Sequence, residues 1–211
     1  MATGITHVYA NALVKMLNKI IDWDSDAIKC TLHTNTYSPN YGTHTFQSDL
    51  TNELAASGGY STGGASLTSL ATTLQASSAL TAWASTTAYV VGNVRRKVSD
   101  NGHAYMCVVA GISGGSEPTW PTTPGGTVTD GGVTWAEVGS HVLKLTGTIP
   151  AWNPATFTCR YGVIADTTPG SAATNPLIAL IDFQADQSPS AAAFTITLDA
   201  DGAVVFPIRA V

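Results

Sequence analysis

The run Leu177-Ile178-Ala179-Leu180-Ile181-Asp182-Phe183 is apolar at every position but one and follows Pro176. A strand with no polar face is covered from both sides, so this segment predicts a central strand buried within a layered β structure. Its neighbours read as half-buried strands. Ile28, Cys30 and Leu32 alternate with Lys29, Thr31 and His33, and Phe194-Thr195-Ile196-Thr197-Leu198 alternates in the same way. Residues 142–146 and 156–165 add two further strands. Asp199-Ala200-Asp201-Gly202 has hairpin-turn chemistry, with Ala203-Val204-Val205-Phe206 as the returning strand.

One segment has a helical period. Across residues 7–21, Val8, Leu13, Met16, Leu17, Ile20 and Ile21 share one face, with Asn11, Lys15, Asn18 and Lys19 opposite and Thr6 as the N-cap. The chain is therefore expected to be mainly β: a β-sandwich-like host domain with one N-terminal α-helix and a small inserted β module.

Composition narrows the function. Charged residues make up 11% of the 211 positions, against about 25% in an ordinary soluble domain. The polar surface must then come from Thr, Ser, Asn and Gly. With nine Lys+Arg and a net charge of −5, binding nucleic acid by neutralising phosphates is not expected. No stretch of 18 apolar residues is present, so no transmembrane helix is expected. The start of the chain lacks a basic segment followed by an apolar one, so no secretory leader is expected either. Cys30, Cys107 and Cys159 lie far apart and outside any CxxC pair. They read as buried reduced thiols in a protein made in a cytoplasm.

Motifs for chemistry are sparse. Asp22, Asp24 and Asp26 have the spacing that opens a calcium loop, but Ala27 stands at the sixth position and His33 at the twelfth. A solvated turn is the better reading. Ser48 and Asp49 open a short helical turn. Gly58-Gly59-Tyr60-Ser61-Thr62-Gly63-Gly64 lacks the lysine and following helix of a phosphate cradle and reads as a tight turn. His7, His33, His44, His103 and His141 form no metal-ligand motif, and no G-x-S-x-G elbow occurs. Glu117 stands alone as a candidate acid in a Gly/Pro-rich loop. A protein without enzymatic activity, cofactor or metal is expected.

Residues 83–138 differ in texture. They hold Trp83, Trp120 and Trp135, Tyr89 and Tyr105, and the basic cluster Arg95-Arg96-Lys97, which reads as a solvated strand edge. Without them, residues 71–75 and 142–146 meet as antiparallel partners, the kind of hairpin tip that accepts an insertion. The expected organisation is a discontinuous host domain of residues 1–80 and 141–211 around an inserted module of residues 81–140. So small a module needs aromatics for its core. Trp83, Tyr89 and Tyr105 are assigned there. Trp120, set between Pro118-Thr119 and Pro121, is the ring most expected at the surface.

The order Trp83, Tyr89-Val90-Val91-Gly92-Asn93-Val94, Gly102-His103-Ala104-Tyr105, Pro118, Trp120 resembles the small chitin- and cellulose-type carbohydrate-binding modules. The ending Val128-Thr129-Asp130-Gly131-Gly132-Val133-Thr134-Trp135 looks like the variant found within phage virion proteins. Asn93 stands where the enzyme-associated modules usually carry Asp. The resemblance implies Trp120, Tyr89, Tyr105 and Trp135 as candidate contacts to a glycan or another surface. The host segments are similar to a family of tailed-phage structural proteins found among head and decoration genes. They comprise Ile21-Asp22-Trp23-Asp24-Ser25-Asp26, residues 46–54, Gly59-Tyr60-Ser61-Thr62-Gly63-Gly64, Arg160-Tyr161-Gly162-Val163-Ile164 and residues 176–183. That likeness implies a capsid decoration or cement protein located in the virion. Its partners would be the major capsid protein or another virion protein and further copies of itself. The alternative is a tail or fibre-associated adhesin whose module binds host-surface glycan.

Overall fold

The computed structural model describes residues 4–198 and 204–208. In chain order its elements are β1 (Ile5–Val8), α1 (Ala12–Leu17), β2 (Ile28–His33), β3 (Ala65–Ser66), β4 (Thr68–Ala76), β5 (Ala88–Tyr89), β6 (Val94–Arg96), β7 (Ala104–Val109) and β8 (Gly111–Ile112). Then follow β9 (Thr127–Asp130), β10 (Val133–Gly139), β11 (His141–Thr148), β12 (Trp152–Ala155), β13 (Cys159–Asp166), β14 (Leu177–Gln187), β15 (Ala192–Phe194) and β16 (Val204–Ile208). The chain is mainly β with one short α-helix, as its alternating and apolar segments require.

Two compact units divide it. One takes residues 4–71 and 147–198, the other 72–146 and 204–208. The second unit contains the whole of 81–140 and adds residues on either side.

The first unit is built on a five-stranded sheet in the order β1-β14-β13-β2-β3. β14 carries the apolar run and is buried from Leu177 to Ile181 because β1 and β13 flank it and both faces are covered. One face packs Val163, Ala165, Leu177 and Leu180 against Tyr9 and Tyr37. On the other, Phe183 meets Phe194 edge-on, and Phe194 lies by Trp152 across the small β12-β15 sheet. This is the sandwich-like arrangement that the two-sided apolar run demands.

Four local expectations need correction. The helix is much shorter than residues 7–21. Residues 5–8 pair with Asp182, Ile181, Leu180 and Ala179 of β14 instead, because an edge strand completes the sheet and Ile5, Thr6 and Val8 suit it. The N-cap is Asn11, not Thr6, and its side chain makes no cap bond. β2 is not half-buried: Thr31 and His33 are buried with Ile28, Cys30 and Leu32. Its polar face is satisfied internally, since His33 Nδ1 donates to the Thr51 carbonyl at 2.8 Å and Nε2 lies 2.9 Å from Thr31 Oγ1. The alternating segment 194–198 forms a strand only as far as Phe194 (β15), which pairs with β12, whereas β16 pairs with β11. The two are not hairpin partners, and the turn proposed at 199–202 lies outside the described residues.

Turns follow their chemistry. Asp26 Oδ2 accepts the Asp22 N–H at 2.6 Å and Asp22 Oδ1 accepts that of Asp24 at 3.2 Å, so these carboxylates close a turn onto β2. The short helical turn spans Gln47–Asp49, earlier than Ser48, and the Asp49 carboxylate caps it by accepting the Thr45 and Phe46 N–H groups. In the glycine-rich loop Gly64 has φ +70°, and a Cβ there would collide with the Cys30 carbonyl.

In the second unit β6-β7-β10-β9 form a four-stranded antiparallel sheet. β5 pairs with β8, and β11 lies between β16 and β4.

Candidate functional site

The residues expected to touch a glycan converge, but inward. Trp83, Tyr89, Tyr105, Cys107, Trp120, Val133 and Trp135 form one buried cluster. Trp120, expected at the surface, is only 7% exposed. Its ring lies 4.2 Å from that of Tyr105 and packs edge-on against Trp135 at 5.7 Å, while its indole N–H donates to Glu117 Oε1 at 2.9 Å. Tyr89 stands edge-on to Trp135 at 4.8 Å. Trp120, Tyr89, Tyr105 and Trp135 therefore offer no open ring face, the feature needed to stack on sugar. The physical reason is size. A unit this small fills its core with nearly every large ring it owns, and the prolines around Trp120 fold the loop over rather than holding it out.

Carboxylates organise this cluster. β9 ends at Asp130, which is buried. Its Oδ2 accepts the indole N–H groups of Trp83 at 2.7 Å and Trp135 at 3.0 Å, and its Oδ1 accepts the Gly114 N–H at 2.8 Å. Glu137 on β10 is equally buried. It accepts from the Gly139 and Gly125 N–H groups at 2.9 and 3.1 Å and meets His103 Nδ1 at 3.0 Å. Glu117, the candidate acid, accepts the Val98 N–H at 2.7 Å on the oxygen that holds Trp120. Sequence reasoning missed Asp130 and Glu137, which lie in no known catalytic or metal spacing. For Glu137 the available signal was an acidic residue within the apolar and aromatic stretch Val133–Val138.

The basic cluster is built into its strand. Arg96 donates to the carbonyls of Leu80, Lys97 and Val98 at 2.9, 2.9 and 2.6 Å. Arg95 donates to the Val94 carbonyl and lies over the Tyr89 ring at 5.3 Å. Guanidinium forks used in this way hold an edge strand flat against its own core.

The first unit shows the same economy. Tyr9, Tyr37 and His44 form a hydrogen-bonded chain, with 3.1 Å between the hydroxyls and 2.9 Å from Tyr37 to His44 Nδ1. Burial pushes the Tyr9 and Tyr37 hydroxyls up and His33 down in pKa. Glu53 reaches into the glycine-rich loop and accepts the Tyr60 hydroxyl at 2.7 Å and the Gly63 N–H at 2.6 Å. A carboxylate thus occupies the place where a phosphate cradle would present bare N–H groups. All three thiols are buried. Burial pushes Cys30 well above the ordinary range, Cys159 to about 12 and Cys107 to about 11. Such groups are poor nucleophiles and poor metal ligands.

Among the described residues no three His, Cys, Asp or Glu side chains gather as a metal site, and no helix is long and apolar enough to cross a membrane. Comparison with protein-family models, with curated proteins and with solved structures returns no match for this chain.

Proposed function

We propose that this chain is a structural component of a tailed-phage virion, a capsid decoration or cement protein that binds the head lattice and displays its second unit as a small surface module. The observation that carries the reading is the use to which the polar and aromatic side chains are put. Asp130, Glu117, Glu137 and Glu53 hold indoles and backbone N–H groups of their own chain, and Trp83, Tyr89, Tyr105, Trp120 and Trp135 fill a core. Side chains so engaged maintain shape and leave the surface for contact. The resemblance read from residues 46–54 and 176–183 in the sequence, and a composition poor in charge, motivate the same reading. Binding strength would come from modest contacts repeated over a symmetric lattice rather than from one tight site. The partner is the major capsid protein or a neighbouring virion protein. The adhesin alternative has less support, because the rings that would stack on a sugar are buried.

The test is co-sedimentation of the purified protein with undecorated capsids. Saturable binding at a fixed number of copies per lattice unit supports the reading. Absence of binding to any capsid surface overturns it.

A further inference from the structure

The seating of α1 departs from its sequence pattern at Lys15 and at its exposed apolar residues. The residues it buries are Ala12 and Lys15. Lys15 is drawn inward by two contacts: its ammonium lies 3.6 Å from the centre of the Phe46 ring and donates to the Thr45 carbonyl at 3.1 Å. With Lys15 fixed inside, the residues at positions 13, 14 and 17 turn outward together: Leu13 and Leu17 are i, i+4 neighbours on the helix surface, and Val14 and Leu17 are i, i+3 neighbours. Leu13, Val14 and Leu17 are 37%, 54% and 75% exposed, and Ile20, just past the helix end, is 51% exposed.

The extent and the rim of this face say what covers it. From those fractions and ordinary side-chain areas, the four residues present roughly 400 Å² of apolar surface. One side of a standard interface buries about 800 Å², somewhat more than half of it apolar. A single face on α1 thus supplies most of the apolar area that one side of a stable dimer requires. The rim is of mixed sign: Lys19 lies at the helix end, and Asp22 and Asp24 follow within the next turn, all exposed. A two-fold copy of such a surface can set Lys19 of one copy against Asp22 or Asp24 of the other, whereas a rim of one sign would repel its own copy.

We propose that the Leu13–Val14–Leu17–Ile20 face binds the same face of a second copy of this chain, forming a two-fold dimer. The inference stands on the purified chain and does not require the virion reading. If that reading holds, the dimer doubles the valency with which the subunit engages a lattice.

Analytical ultracentrifugation of the full-length protein tests it. The wild type sediments as a dimer. Leu17→Asp weakens the dimer by roughly tenfold or more, because a carboxylate is carried into an apolar contact. Ile112→Asp, at a position also well exposed but on β8, leaves the dimer intact. Near-UV circular dichroism establishes that each variant is folded, and Val14→Lys repeats the test at a second point of the face. A wild type that stays monomeric to about 100 µM (a bound set by ordinary dimer affinities), a dimer indifferent to both α1 variants, or a trimer or larger ring overturns the proposal. A monomeric chain that still decorates capsids overturns the pairing and leaves the virion reading standing. A dimer that ignores capsids does the reverse.

Discussion

Asp130 accepts the indole N–H of Trp83 across 47 residues of chain, at 2.7 Å, inside the core of the second unit. The same oxygen takes the indole of Trp135 and the other oxygen takes the Gly114 N–H. One carboxylate therefore ties together Trp83, the inner strand β10 and the loop at Gly114. Asp130→Ala strands three donors away from water, and each unsatisfied group costs about 1–3 kcal/mol. The expected loss is about 3 kcal/mol or more, read as a lowered urea midpoint by tryptophan fluorescence. Asp130→Asn keeps one acceptor oxygen and falls between the two. A wild-type midpoint for Asp130→Ala would show that these indoles find other partners.

The thiols give a second prediction. Cys30, Cys107 and Cys159 are buried, and burial raises the pKa of each. A thiol-reactive probe at neutral pH should label none of them in the native protein within minutes, and all three after denaturation. Rapid labelling of one site in the native state would place that cysteine at a surface.

The end of α1 is the third. Ile20 donates to the Lys15 carbonyl at 2.8 Å and Lys19 to that of Met16 at 3.0 Å, with Lys19 at φ +57°. This is the glycine-favouring turn that closes many helices, held here by a lysine. Lys19→Gly relieves the left-handed conformation and should stabilise the protein by about 0.5–1 kcal/mol, a rise of about 2 °C in Tm. A fall in Tm would mean that the lysine side chain contributes more than the backbone strain costs.

Asp166 sets a pH dependence. It is buried at the end of β13, where Oδ1 accepts the Thr168 N–H at 2.8 Å. Burial, reinforced by the nearby Asp26 carboxylate, raises its pKa above the ordinary value, against the opposing Thr168 bonds. A carboxyl whose pKa rises on folding favours the native state in its protonated form. That contribution is complete below the unfolded value and is lost as pH climbs through the folded one. Asp166→Asn removes the charge while keeping an oxygen for Thr168. The Tm of Asp166→Asn minus that of wild type should therefore grow between about pH 4 and pH 7. A difference independent of pH would show that Asp166 titrates alike in the folded and unfolded chain.

The parts of this fold that were legible in the sequence are those in which one segment decides its own burial. Leu177–Phe183 has no polar face and so could only be an inner strand. The helix was misjudged at both ends because a neighbour, not the segment, chose its state. β14 recruits Ile5–Val8 as an edge strand, and Phe46 with the Thr45 carbonyl draws Lys15 inside, leaving Leu13, Leu17 and Ile20 outside while Ile21 stays buried. Trp120 was misplaced for a similar reason. Its flanking prolines suggest an exposed loop, yet Tyr105, Trp135 and Glu117 close around it, and the first two lie on strands β7 and β10. The anchoring carboxylates Asp130 and Glu137 carried no spacing signal, since their partners are backbone N–H groups and indoles set by the tertiary fold.

As proposed above, this chain serves as a lattice-bound virion subunit. Cryo-electron microscopy of particles from infected cells, with the protein carrying a small internal density tag in its second unit, tests it most directly. Tag density is expected at regularly repeated positions over the outer head surface. Density confined to the tail or its fibres, or absent from the particle altogether, would contradict it.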